Sequence, residues 1–298
     1  TQNFTTATDT FNTAVGAYAG VAVTTGIENT LIGALAGDAL TDADFNVAVG
    51  KSALTADTLG SRSTAIGIGT LSSQNFTTAT NSYNTAVGYA AGDAITTGVN
   101  NTLIGGLAGD ALTDADHNVA LGVQALAVDS LGSRSVAIGA FALEAQAFTT
   151  ATDTYNVAVG YDAGGNITTG IKNTVIGSLS GDALTDADFN TVVGMDALSS
   201  DTLGSRSTAI GVGALNAQNF TTATDSYNVA VGMNAGNAVT TGVQNTLIGG
   251  LAGDALTTGS QNVSIGYQAL SADDLGSHNV AIGANALSDM NFATATNS

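Results

Sequence analysis

Apolar and polar positions recur along this chain with a fixed interval. Asn12-Thr13-Ala14-Val15-Gly16 returns as Asn29-Thr30-Leu31-Ile32-Gly33, seventeen residues on. The pattern occurs sixteen times, closing at Gly16, Gly33, Gly50, Gly67, Gly88, Gly105, Gly122, Gly139, Gly160, Gly177, Gly194, Gly211, Gly232, Gly249, Gly266 and Gly283. The intervals cycle through 17, 17, 17 and 21, which makes four copies of a 72-residue super-repeat: about 12–83, 84–155, 156–227 and 228–298. A short fixed period predicts a solenoid, in which length measures the number of coils and not the number of domains. The whole chain, 1–298, therefore reads as one continuous solenoid.

Each coil can be numbered from its glycine as zero. Position −1 is Val, Ile or Leu throughout, and position −3 is Thr or Val. These types favour strands, and residues −3 and −1 share one strand face. Position −4 is Asn, or Ser at Ser63, Ser135 and Ser207. Stacked at ~4.8 Å, Asn side chains can hydrogen-bond from coil to coil. Position +3 is Ala except at Thr70 and Ser180, and position +4 follows the order Gly, Gly, Leu, Leu. Helical repeats need ~30 or more residues per unit and better helix formers. The fold class is thus all-β: a parallel β-solenoid of 16 coils.

Position −2 points opposite to −1 and is also apolar, as at Ala14, Leu31, Ala48 and Leu103; only Ser264 breaks the column. A strand apolar on both faces needs cover on both. The expectation is that −1 and −3 pack inside the coil and that the −2 column packs between chains, most simply in a trimer.

Composition narrows the functional classes. Five Lys and Arg against 24 Asp and Glu give a net charge of −19, which opposes binding to nucleic acid or to an anionic membrane. There is no Cys, hence no disulfide and no thiolate metal site. No apolar run of ~20 residues predicts membrane insertion. The chain has no starting Met, and its 298 residues are four super-repeats plus ten residues at the same phase. It reads as a mature product or as a segment of something longer, whose ends could seat another copy.

The run Asn262-Val263-Ser264-Ile265-Gly266-Tyr267-Gln268-Ala269-Leu270 typifies a motif, Asn-(Thr/Val)-Ala-(Val/Ile)-Gly-x-x-Ala. It resembles the head repeats of trimeric autotransporter adhesins and the repeats of phage and bacterial surface fibres. The resemblance covers the whole chain. It implies left-handed β-rolls, packed as a homotrimer, in an extracellular fibre on a cell or virion surface that attaches to a receptor or glycan. The coils here are longer than the compact adhesin coil, and the chain contains no stalk or anchor. Two other readings stand beside it: a filament that assembles head to tail, and a surface protein that binds a cation or small ligand.

Little in the sequence suggests chemistry, and the chain is not read as an enzyme. Asp42-Ala43-Asp44 recurs as Asp114-Ala115-Asp116 and Asp186-Ala187-Asp188, and these six carboxylates are the candidate calcium ligands. The fourth copy, Thr258-Gly259-Ser260, has no carboxylate, which favours a solvated acidic turn. His117 and His278 have no ligand or nucleophile at a useful spacing. The Thr24-Thr25 type of pair appears once per super-repeat, too sparse for a flat ice-binding array. No cofactor is implied.

Two local expectations concern the corners. The four extra residues of every fourth coil contain Phe4, Phe76, Phe148, Phe220 or Phe292, and should fold out as a loop with the Phe tucked back. Position −5 places Arg62 between Phe45 and Tyr83, and Arg206 between Phe189 and Tyr227. The guanidinium groups should stack on those rings. Neutralising neighbouring carboxylates, with Asp44 and Asp188 close by, is the alternative role.

Overall fold

A computed structural model describes residues 5–292. The regular elements among them are short β-strands, with no helix. The chain forms two compact units, Thr1–Thr154 and Tyr155–Ser298. Each is a parallel β-solenoid of eight turns, about sixteen turns in all.

In the first unit the ladder runs through Thr13–Val15, Thr30–Ile32, Val47–Val49, Thr64–Ile66, Thr85–Val87, Thr102–Ile104, Val119–Leu121 and Val136–Ile138. Every neighbour pairs in parallel with the motif in register, as in Thr13 with Thr30 and Ala14 with Leu31. The second unit repeats this through Val157–Val159, Thr174–Ile176, Thr191–Val193, Thr208–Ile210, Val229–Val231, Thr246–Ile248, Val263–Ile265 and Val280–Ile282. Two-residue pairs flank the inserts: Gly60–Ser61 with Thr80–Asn81, Gly132–Ser133 with Thr152–Asp153, and Gly204–Ser205 with Thr224–Asp225.

The coil closes because its sequence separates two kinds of backbone. Strand positions −3 and −1 carry β-branched types. The corner positions −5 and +2 adopt the left-handed conformation, as at Leu35 (φ 60°), Phe45 (61°) and Arg62 (65°). No Val, Ile or Thr stands at either corner position, where such residues would clash. The motif glycine is more constrained still, with φ from 123° to 143°. A Cβ on Gly33 would lie 2.4 Å from the carbonyl oxygen of Gly50, one coil on. Glycine is required there by both conformation and space.

The two strand faces are the reverse of the expectation. Position −2 points into the coil of its own chain: Leu31, Ala48, Ala65, Ala86 and Leu103 are buried, as are Val175, Val192 and Leu247 in the second unit. Positions −3 and −1 face outward. The proposed interchain role of the −2 column is therefore wrong, and its apolarity belongs to the core. The physical reason lies in paired volumes. In the second coil of each super-repeat −2 is large and +4 is glycine, as in Leu31 with Gly37, Leu103 with Gly109 and Leu247 with Gly253. In the third and fourth coils −2 is mostly Ala, as at Ala48 and Ala120, and +4 is leucine, buried at Leu54 and Leu126. Third- and fourth-coil Ala–Leu pairs and second-coil Leu–Gly pairs fill comparable space.

The asparagine column ties coil to coil as anticipated, chiefly through main chain. Asn29 Oδ1 accepts from the Asn46 amide at 2.9 Å, and Asn29 Nδ2 donates to the Ala43 carbonyl at 2.7 Å. Asn46, Asn101 and Asn118 repeat both bonds. Asn173 and Asn245 do so in the second unit. The side chains are buried, and their polar atoms stay paired.

Candidate functional surfaces

The six candidate calcium ligands are spent on corner hydrogen bonds. Asp44, Asp116 and Asp188 each accept, through Oδ1, the amide of the preceding coil at Ile27, Val99 and Ile171, at 2.8, 2.7 and 2.7 Å. Asp42 accepts from the Thr25 hydroxyl, and Asp114 and Asp186 from Thr97 and Thr169 at 2.5 and 2.6 Å. In the fourth super-repeat Ser260 Oγ takes the amide of Val243 at 3.0 Å, so a neutral acceptor serves equally. Among the described residues no three His, Cys, Asp or Glu side chains form a group able to hold a metal ion.

A set of buried polar residues escaped the sequence reading. Position +7 is Val, Ile or Leu in the first two coils of each super-repeat, Asp in the third, and Gln or Met in the fourth. Asp57 is wholly buried. Its Oδ1 accepts from the amides of Gly60 (3.0 Å) and Phe76 (3.1 Å), and its Oδ2 from Gln74 Nε2 (2.5 Å). Gln74 also donates to Ser63 Oγ at 2.8 Å and accepts from Asn84 Nδ2 at 2.9 Å. Asp129, Gln146 and Ser135 reproduce this cluster, as do Asp201, Gln218 and Ser207. The fourth copy solves the same problem differently. Met290 replaces the glutamine, Asn279 replaces the serine, and Asn279 Nδ2 donates to Asp273 Oδ2 at 3.1 Å. The signal in the sequence was this exchange: Ser with Gln three times, Asn with Met once.

These clusters also anchor the inserts. Phe148 and Phe220 donate their amides to Asp129 and Asp201 at 3.0 Å, as Phe76 does to Asp57. All three rings are buried, as expected for rings tucked back onto the coil. Phe292 is half-buried, and Phe4 lies outside the described residues. The terminal inserts on which head-to-tail seating was expected to depend lie largely there too, in residues 1–4 and 293–298.

Along the −5 corner, Arg62 lies 4.6 Å from the Phe45 ring centroid and 5.9 Å from that of Tyr83. Arg206 lies 4.7 Å from Phe189 and 5.9 Å from Tyr227, and Lys172 covers the Phe189 ring at 5.1 Å. The stacking expectation holds, and charge pairing accompanies it with different partners. Arg134 Nε meets Asp153 at 2.9 Å and Arg206 Nε meets Asp225 at 3.0 Å. At the equivalent place Arg62 donates to Asn81 at 3.1 Å. Asp44 and Asp188 are occupied by corner amides instead.

The remaining surface of note is the outward strand face. At −1 it shows Ile32, Ile66 and Ile104 in the first unit and Ile176, Ile210 and Ile248 in the second, each 37–40% exposed. At +1 it adds Ile68, Tyr89 and Val123, and Tyr161, Met195 and Tyr267, all exposed. Lys51 is the only charged residue at −3, −1 or +1. Eight coils ~4.8 Å apart and five residues at ~3.3 Å give roughly 500 Å² per unit. That is near the upper limit for the largest apolar patch on a typical monomer. Acidic side chains lie elsewhere. Burial raises the affinity of Asp57 for its proton, although hydrogen bonds from Gln74, Phe76, Gly60 and Thr58 oppose the shift. Desolvation also raises Asp110 and Asp182, with secondary repulsion from Asp93 in the first case and from Asp162 and Asp196 in the second.

Compared with known families and with curated proteins, the chain matches none. No helix among the described residues is long and apolar enough to cross a membrane.

Proposed function

We propose that this chain is a structural repeat protein of an extracellular fibre, adhesin-like in organisation, whose copies pack through the outward strand face. The observation that carries the reading is that face: regular, largely apolar and carrying one charge, Lys51, on a chain of net charge −19. Copies of so acidic a chain repel one another over most of their surface, and this face is where they can meet. The face of each unit, at roughly 500 Å², is of the size of apolar patch that marks an interaction site. The repeat motif's resemblance to adhesin heads and surface fibres supports a homotrimer and a place on a cell or virion surface.

Light scattering on the purified chain tests this reading. The expected result is a mass that is a small multiple of the chain's 29.2 kDa. Replacing Ile66, Ile104, Ile176 and Ile248 by Asp should return a monomer with an unchanged circular dichroism spectrum. A parent chain that stays monomeric at every concentration would refute the proposal.

A further inference from the structure

The insert that follows every fourth coil presents a second type of surface. Its backbone is pinned by the Phe amide on the buried Asp and by a neighbouring coil, to which Asn75 and Asn219 donate their amides at 3.0 and 2.9 Å. With Phe76 and Phe220 turned inward, the residues on either side turn outward: Asn75 and Thr77, and Asn219 and Thr221, are exposed. Each trio reads Asn-x-Thr, the pattern that accepts an N-linked sugar on the asparagine amide.

The sequence holds six Asn-x-Ser/Thr patterns, at Asn3, Asn75, Asn100, Asn166, Asn219 and Asn262, the last with serine. Asn3 lies outside the described residues. Asn262 is buried, with Nδ2 donating to Gly276 and Asn245. Asn166 Nδ2 is held by the Asp182 carbonyl at 2.7 Å. Asn100 shares its amide with His117 at 3.4 Å. Asn75 and Asn219 differ from Asn100, Asn166 and Asn262. Their only side-chain bonds among the described residues are weak ones accepted by Oδ1, from Thr58 at 3.2 Å and Thr202 at 3.3 Å, which leaves Nδ2 to solvent.

We propose that Asn75 and Asn219 are glycan acceptor sites, at equivalent positions of the first and third super-repeats. The donor is a sugar activated through C1 as a nucleotide- or lipid-linked phosphate ester. The bond formed joins Nδ2 to C1, the C1–O bond to the phosphate breaks, the phosphate leaves as the anion, and the amide gives up one proton. The second super-repeat has Ala147-Phe148-Thr149 at this place and cannot react, which supplies an internal control. The inference rests on the extracellular reading for its biological setting, while the reactivity of the sites does not depend on it.

The experiment therefore supplies the setting. The chain is secreted behind an added leader from a eukaryotic host, and its intact mass and tryptic peptides are measured. A control protein with a known accessible Asn-x-Thr is secreted alongside. The expected result is sugar on Asn75 and Asn219, lost one site at a time in Asn75→Gln and Asn219→Gln, with Ala147→Asn gaining a third site. Secreted, folded chain bearing no sugar at either asparagine while the control is modified would overturn the proposal. So would modification confined to Asn100, Asn166 or Asn262. Neither outcome bears on self-association, which is read separately by light scattering.

Discussion

Leu103 and Ile104 are neighbours with opposite duties, and exchanging either for aspartate separates core from surface. Leu103 is wholly buried, and its methyls fill the space left by the glycines at positions 92 and 109. Burial of such a side chain contributes about 1.5–3 kcal/mol. The void left between two glycines adds to that, so Leu103→Ala should cost about 3–5 kcal/mol. Leu103→Asp should cost at least as much, because a carboxyl group gains no partner there. Ile104 is 40% exposed, so its partial burial is worth only about 1 kcal/mol. Urea unfolding followed by circular dichroism reads both. With a slope of about 2–3 kcal/mol/M, the midpoint should fall by about 1–2 M for Leu103→Asp and by under about 0.5 M for Ile104→Asp, at matched protein concentration. Light scattering should show the converse, with the larger loss of mass in the folded Ile104→Asp variant. If Leu103→Asp kept its midpoint and lost only its partners, while Ile104→Asp unfolded, the assignment of the two faces would be wrong.

Gly122→Ala should destabilise by roughly 2–6 kcal/mol, the sum of a strained φ and an overpacked contact: φ is 141°, and the new Cβ would lie 2.4 Å from the Gly139 carbonyl oxygen. Thermal melting should show it, and an unchanged melting temperature would contradict it. Ser63→Asn and Gln74→Met should each destabilise, whereas the double variant recreates the arrangement of Asn279 and Met290. A double-mutant cycle should return a favourable coupling of about 1–3 kcal/mol, and simple additivity would count against the cluster as described. Acidification should stabilise the fold at first. Asp57, Asp110 and Asp182 hold protons more tightly folded than unfolded. Their charged forms therefore cost stability above the folded pKa, and that cost is relieved as pH falls toward the unfolded value of about 3.9. A melting temperature that falls steadily from neutral pH down to that value would refute the sign.

The coil number, the strand positions and the asparagine ladder were legible because each rests on a local rule repeated from coil to coil, sixteen times for the strand and thirteen for the asparagine. The choice of inner face was not. Alternation reveals that −2 and −1 lie on opposite sides, but when both are apolar it gives no direction. The deciding clue was the reciprocity between Leu103 and Gly109, and between Ala120 and Leu126, which becomes visible only when two positions six residues apart are compared within one coil. The acid pairs drew attention because carboxylates two residues apart suit a hard cation. Their real partners, amides such as Ile27, sit seventeen residues earlier and leave no mark on local composition. Asp57 and Gln74 were hidden for the same reason, being adjacent only after the chain has completed a turn. The stacking of Arg62 on Phe45 was readable because equivalent positions of successive coils must meet.

The column that holds Asp57 and Gln74 also governs how such a gene can change in length. Unequal recombination between similar coils could remove or add any one of them, and the strand ladder would re-form in register each time. The +7 column would not. Deleting one third coil leaves a buried Gln with no carboxylate to meet, and deleting one fourth coil leaves a buried carboxylate beneath an apolar neighbour. Only a change of 72 residues keeps the order of two apolar coils, an acid and its partner coil, which carries Gln in three groups and Met290 in the fourth. The heritable unit of this protein is thus the group of four coils, and natural variants of different length should differ by whole groups.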